Sequence, residues 1–389
     1  MINNKEIRVI YIERKPDLFG SCLSLLSMLE FLTKNGVKPL VIVIKEGELT
    51  EELKKRGIPY KTIKYFFNIL PRLKFLSDYI LFIPKIVTYI IYNKFAILKL
   101  KKIAKDFNAD IIHTNIGPSH IGISVARKLR IPHVWHLREY QNLDFGWKFF
   151  PSKSNFTKKL NNYNNYNIAI TKGIATHFSL SDSNSQTIPD GIFHKNETIL
   201  DFNKEKYFLF VGRIENFKGI KDLLKAFSAF CKKNDKYKLL IAGKIESEDY
   251  KNELISCVND EYNRGLIKFL GYIKDVRPLM SKATALIVAS KMEGLGRVTI
   301  EAMFCGCLVI GKNSGGTKEI LGEKNLGLLY DNTCELVAFL NNLANTKIDF
   351  YKDKIKDAQK EAVLLYSIEE SGSKILNYYN KILTLNNTN

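Results

Sequence analysis

The chain has 389 residues, too many for one ordinary hydrophobic core, so two domains of about 150 to 200 residues are expected. Hydrophobic residues make up 46% and charged residues 25%, a balance that excludes wholesale disorder. The 59 Lys and Arg against 40 Asp and Glu leave a charge of +19, which predicts attraction to nucleic acid, an acidic membrane surface or phosphate-bearing substrates without choosing among them.

The opening, MINNKEIRVIYIERK, has charges on both sides of a short apolar run and reads as a first strand rather than a secretory signal, so a cytoplasmic protein is expected. Short runs rich in Ile and Val then alternate with segments of helical period. In the first half they are IRVIYI, KPLVIVI, ADIIHTN, PHVWHL and NIAIT; in the second they are YFLFVGR, YKLLIAG, IKFLG, ALIVAS and CLVIGK. Between them lie segments such as GIKDLLKAFSAFCKK, where Ile220, Leu223, Leu224, Phe227 and Phe230 share one helical face. Parallel strands covered by helices follow from this alternation, and the predicted fold class is α/β with two doubly wound, Rossmann-like domains. Pro189, Asp190 and Gly191 mark a turn before a polar stretch, which divides 1–195 from 196–366. The tail YSIEESGSKILNYYNKIL reads as a final helix.

Residues 61–105 hold ten Lys or Arg against one acid, Asp78. Pro84, Lys85, Asn93 and Lys94 break every apolar window of the roughly 20 residues that a membrane crossing needs. Two readings remain: a pair of amphipathic helices packed on the first sheet, or the same helices lying against an anionic bilayer. The six cysteines show no C-x-x-C spacing and are expected to be reduced and buried, with no metal role.

The stretch MEGLGRVTIEAM sets Glu293 and Glu301 around a glycine-containing loop. A buried strand runs to about Ser290, a helix begins near Arg297 or Val298, and Gly306 suits its end. Ligands of doubly wound sheets bind where loops leave the carboxyl ends of strands, and the free N–H groups of a helix start favour phosphate. Gly294 and Gly296 let a ligand approach the backbone. Two carboxylates cannot themselves hold a phosphate, so they suit the hydroxyls of a sugar. In FLFVGRIENFKGI, Arg213 and Lys218 supply cations beside another helix start.

Among the histidines, His136 ends HVWHL and is a candidate site residue, while His120 could line a binding cleft. His113 reads as a satisfied, partly buried histidine, and His133, His177 and His194 as structural or exposed. Arg138 and Glu139 either shape a ligand mouth or pair with each other. Trp147, Phe149 and Phe150 fall in a loop, where they either meet a lipid or sugar face or cover the domain.

The segment VGRIENFKG followed by GYIKDVRPLMSKATALIVASKMEGLGRVTIEAMFCGCLVIGKNSGGTKEI resembles the C-terminal half of retaining glycosyltransferases with the GT-B fold, group 1 or family 4 type. Shared are a GR...KG loop, two glutamates separated by seven residues and a GG pair followed by a glutamate; DIIHTN, VWHLREY, AITKGIA and IPDGI match more loosely. The resemblance implies that the domains face each other across a cleft and that a final helix, 367–389, packs back on the first. It implies that Glu293 contacts donor hexose hydroxyls, that Glu301 holds the ribose, and that Arg213 and Lys218 neutralise the departing diphosphate. His136 resembles the histidine that faces the sugar, and Gly20 the glycine of the N-terminal phosphate loop. Gly294, Leu295, Gly296, Arg297, Gly315 and Gly316 then complete the nucleotide-sugar site.

No Asp-x-Asp pair occurs, so no metal is expected; retention of anomeric configuration is implied by the resemblance alone. The donor expected is a UDP- or GDP-linked sugar, and the acceptor a glycan, lipid-linked, in bacterial surface polysaccharide synthesis at the inner face of the membrane. Many relatives carry two glycines and a glutamate in the first loop, where this chain has DLFGSCLS. A nucleotide-sugar 2-epimerase of the same fold is one rival reading, and a non-enzymatic nucleic-acid binder, suggested by the charge, is a second. Nucleic acid is not an expected partner, since neither zinc-finger spacing nor an RNA-binding aromatic signature occurs.

Overall fold

The computed structural model describes residues 6–14, 16–18, 20–71 and 79–387. Arg72, Lys74 and Asp78 of the basic segment lie outside the described residues, as do 1–5 of the opening run. The chain divides into two compact units, one made of 1–191 with 368–389 and the other of 192–367. The first break falls four residues before the boundary expected from the turn. Ile192 N–H donates to the Tyr366 carbonyl and Phe193 bridges Ser367, which ties 192–195 to the second unit.

In the first unit a parallel sheet is built from β1 (Ile7–Ile12), β2 (Val37–Val43), β3 (Tyr60–Thr62), β4 (Ile111–Thr114), β5 (His133–Leu137), β6 (Asn165–Ala169) and β7 (Ser185–Thr187). Its order is β3-β2-β1-β4-β5-β6-β7. Side chains alternate across a strand, so Val9 and Tyr11 join the layer of Leu25, Leu29 and Tyr379, while Ile10 and Ile12 join that of Leu100 and Ile121. Both faces are covered, and this is why β1 reads as an unbroken apolar run.

The second unit repeats the plan with β8 (Glu205–Val211), β9 (Lys238–Ala242), β10 (Ile267–Gly271), β11 (Ala283–Val288), β12 (Val309–Lys312) and β13 (Leu328–Tyr330). The order is β10-β9-β8-β11-β12-β13. In each sheet the first strand is central and the order reverses beside it. The expected strands are all present. Sequence reading missed β3, β7 and β13, edge strands of three residues each, because YKT and SQT are too short and polar to show a strand period.

Part of the helix pair expected in the basic segment falls on 72–78, outside the described residues. Residues 63–71 contain no helix and Ile69 bridges Phe149; Tyr79 and Ile80 are helical, and after a turn at Leu81 the 25-residue helix Phe82–Asp106 begins. Only Ala96, Leu100 and Ala104 of that helix are buried.

The final helix, Ile368–Asn387, packs against Ser21–Lys34. A Cβ at Gly372 would enter the ring of Phe31, so the helices meet at glycine. Gly372→Val is expected to lower stability by roughly 2 kcal/mol, the usual cost of overpacking, in urea denaturation. Phe31→Ala on that background should restore part of the loss.

Candidate active site

The loops that follow β8 and β11 carry the second unit's candidate residues. These two strands are neighbours, and the strand order reverses between them, so their carboxyl ends open into the crevice where doubly wound sheets take ligands. After β8 the chain passes Arg213, makes a single 3-10 turn at Asn216–Lys218 and enters the helix Ile220–Cys231 through Gly219. Gly219 has φ +71°, and a Cβ there would overlap the Ala289 carbonyl just beyond β11. The two loops therefore touch backbone to backbone, which only glycine allows.

That contact brings Lys218 to Glu293. Lys218 Nζ donates to Glu293 Oε1 at 2.7 Å, with the side chains 19% and 20% exposed. Enough of each remains open for a ligand to reach. Arg213 is half exposed and donates to Glu215 at 2.7 Å. The Phe217 ring lies 5.7 Å from the Arg213 guanidinium and 5.6 Å from Lys218 Nζ, so one aromatic ring meets both cations.

Beyond Glu293, the helix Arg297–Phe304 starts at Gly296 in a left-handed conformation, φ +83°. Glu301 falls in its second turn and lies 3.8 Å from Arg297, both largely buried. Burial raises the Glu301 carboxyl above its ordinary range, and Arg297 opposes that rise. The pair Gly315 and Gly316 closes the other side of the loop. Gly316 N–H donates to the Glu293 carbonyl at 2.8 Å, and a Cβ on Gly316 would run into the Leu295 carbonyl. Glu293, Gly294, Leu295, Gly315 and Gly316 thus form one packed turn. The buried hydroxyls of Thr299 and Thr317 flank Gly296, and neither has a hydrogen-bond partner among the described residues. Neither threonine was singled out in the sequence, where nothing but proximity to the glycines marks them.

In the first unit, Gly20 caps Ser21–Lys34 with φ +35° and no side-chain hydrogen bond. His136 is 1% exposed and lies in a network that the sequence did not announce. Arg138 NH2 donates to His136 Nδ1 at 3.2 Å, and His113 Nε2 lies 3.2 Å from the same atom. Arginine only donates, so Nδ1 accepts and the ring proton sits on Nε2. That Nε2 is 3.7 Å from Asp190 and has no hydrogen-bond partner among the described residues. His113 Nδ1 is 2.6 Å from the Tyr379 hydroxyl. Burial first, then Arg138, holds His136 and His113 well below the ordinary histidine value, so both are neutral.

Arg138 pairs with Asp190 and also donates to Asn115 Oδ1 at 3.0 Å. Asp190, read in the sequence only as a turn residue, also accepts from Ser24 at 2.7 Å. His133 is structural, held by Thr114 at 2.8 Å and Asn165 at 2.6 Å and lowered by burial to about 4. His120 lines an apolar cavity of this unit and is lowered by burial to about 3. Phe149 is buried and stacks on Phe156, and so covers the domain. Among the described residues no group of three His, Cys, Asp or Glu is placed to hold a metal ion.

Residues 194–361 match the family model described as glycosyl transferases group 1, which spans the second unit almost end to end. An uncharacterized glycosyltransferase of Methanocaldococcus jannaschii is 27% identical over 178 residues, 45% of each chain. A Campylobacter jejuni enzyme named as an N-acetyl-D-galactosaminyltransferase acting on a diphospho-undecaprenol-linked glycan is 30% identical over 166 residues, 41% of this chain and 44% of that protein. The chain therefore matches less than half the length of either relative. Among solved structures, Anabaena HepE in complex with UDP superposes with a TM-score of 0.78 at 19% identity, covering 96% of this chain and all of that one. The fold is that of GT-B proteins, two Rossmann-like α/β domains each on a parallel sheet.

Gly219→Ala tests the loop contact. A left-handed alanine with its methyl against a carbonyl should cost about 2 to 4 kcal/mol, read as a lowered urea midpoint.

Proposed function

We propose that this protein is a retaining glycosyltransferase that moves a hexose-type sugar from a UDP- or GDP-linked donor to a hydroxyl of a glycan, lipid-linked, in bacterial surface polysaccharide synthesis. The reading rests on the Lys218–Glu293 pair. A cation and a carboxylate 2.7 Å apart, each one-fifth open, complement a ligand that sets an anion beside hydroxyls. A nucleotide-diphosphate sugar has that arrangement: its phosphate takes Lys218, and its hexose hydroxyls donate to Glu293. The group 1 match over 194–361 and the UDP bound by the structurally similar Anabaena protein support the same class of donor.

As the bond from the anomeric carbon to the diphosphate breaks, negative charge grows on the phosphate. In this reading Lys218, Arg213 and the free N–H groups at the start of Arg297–Phe304 stabilise it, and no metal is required for that task. Glu301 accepts the ribose hydroxyls. The departing phosphate oxygen takes the acceptor's proton on the same face, which retains the anomeric configuration. Neutral His136, with its proton on Nε2, is a donor suited to a sugar hydroxyl.

Transfer from UDP- and GDP-sugars to a lipid-linked glycan, followed by product analysis, tests the proposal; conversion of the donor with no acceptor present would instead indicate an epimerase. Lys218→Ala and Glu293→Gln should each lower kcat by about 100- to 1,000-fold, as loss of a charge-stabilising contact does. Transfer at the parent rate in either variant would remove that residue from the mechanism.

Protonated Glu301 no longer accepts two hydroxyls, so donor affinity should fall as pH drops, beginning above the ordinary carboxylate range because burial raises this carboxyl. UDP titrations across pH read the effect directly. Glu301→Gln should raise KM roughly tenfold and flatten that dependence.

A further inference from the structure

We propose that the outer face of the helix Phe82–Asp106, with the residues just before it, is a membrane-docking surface that lies in the interface of an anionic bilayer. This inference is independent of the reaction assigned to the second unit. Of the nineteen large apolar side chains exposed among the described residues, ten lie between Tyr79 and Leu98. A soluble surface scatters such residues singly; a continuous patch marks an interaction site. Ile83, Val87, Ile91, Phe95 and Leu98 recur at steps of four, four, four and three, and so form one stripe along the helix. Their exposures run from 46% to 66%. The buried residues Ala96, Leu100 and Ala104 lie on the opposite side, against the first unit's core.

The charge on this face selects its partner. Lys94, Lys101, Lys102 and Lys105 project beside or beyond the stripe, and no Asp or Glu occurs from 79 to 105. Apolar side chains flanked by lysines, with no acid among them, match a surface that is hydrocarbon underneath and anionic above. No helix among the described residues is long and apolar enough to cross a membrane, so the helix lies on the bilayer. Apolar surface also continues inward from the same helix. Ile86, Ile90 and Ile97 line a cavity of about 170 Å³ with Phe67 and Phe150.

Cosedimentation of the whole protein with vesicles tests the assignment, comparing phosphatidylcholine alone with phosphatidylcholine containing one third phosphatidylglycerol. The parent should bind the anionic vesicles at least about tenfold more strongly, since each lysine near such a surface adds attraction. Two variants separate the contributions: Ile83→Ser with Phe95→Ser and Leu98→Ser, and Lys94→Glu with Lys101→Glu and Lys102→Glu. All the substituted residues are exposed except the half-buried Lys101, and each set should weaken anionic-vesicle binding about tenfold or more.

Lys232→Glu with Lys233→Glu and Lys236→Glu removes the same charge from the second unit and should leave binding nearly unchanged. No binding by the parent, or equal loss in the second-unit variant, would overturn the proposal. So would light scattering that shows a dimer broken by the apolar substitutions, which would assign the face to a second copy of this chain.

Discussion

The Ala289 carbonyl occupies the space where a side chain at position 219 would begin, and the geometry of the second unit's site depends on that contact. Because the loops after β8 and β11 meet through backbone, Lys218 and Glu293 converge although 75 residues separate them. A larger residue at 219 would hold the loops apart and leave a lone cation and a lone carboxylate. Gly315 and Gly316 impose the same constraint from the other side, where a Gly316 N–H fixes the Glu293 carbonyl. Glycine in this unit sets distances between charged groups more than it relieves turns.

The two units handle polar groups in opposite ways. In the second, charges are left partly open: a salt bridge with each partner one-fifth exposed gives up modest electrostatic energy when a ligand replaces it. In the first, burial strips the charge from His113 and His136, while Arg138 and Asp190 satisfy each other. A buried network of this kind is costly unless nearly every atom is paired. His136 Nε2 is unpaired among the described residues, its proton fixed by what Nδ1 must accept.

Surface chemistry follows a third pattern. The helix Phe82–Asp106 buries small residues inward and turns large apolar ones outward, the reverse of a helix whose only task is to cover a sheet. Alanine lets it sit close to the core, and the isoleucines and aromatics left outside account for much of the exposed apolar surface. Its only acid is Asp106, at the very end.

Much of this was legible in the sequence. Continuous Ile and Val runs identified the buried strands of both sheets, because a strand covered on both faces must be apolar at every position. The glycines and paired glutamates marked the loop after β11, since their spacing reflects local backbone needs. The short edge strands were not legible, having neither length nor a buried face. Nor was the His136 network: Asp190, Asn115 and Tyr379 come from distant parts of the chain, and their types alone carry no signal. The basic segment's composition announced an unusual surface, but which face of the helix Phe82–Asp106 turns outward followed only from packing. Local chemistry determined which residues could act, whereas the pairing of Lys218 with Glu293 and the protonation of His136 arise from long-range contacts that exist only once the sheets have formed.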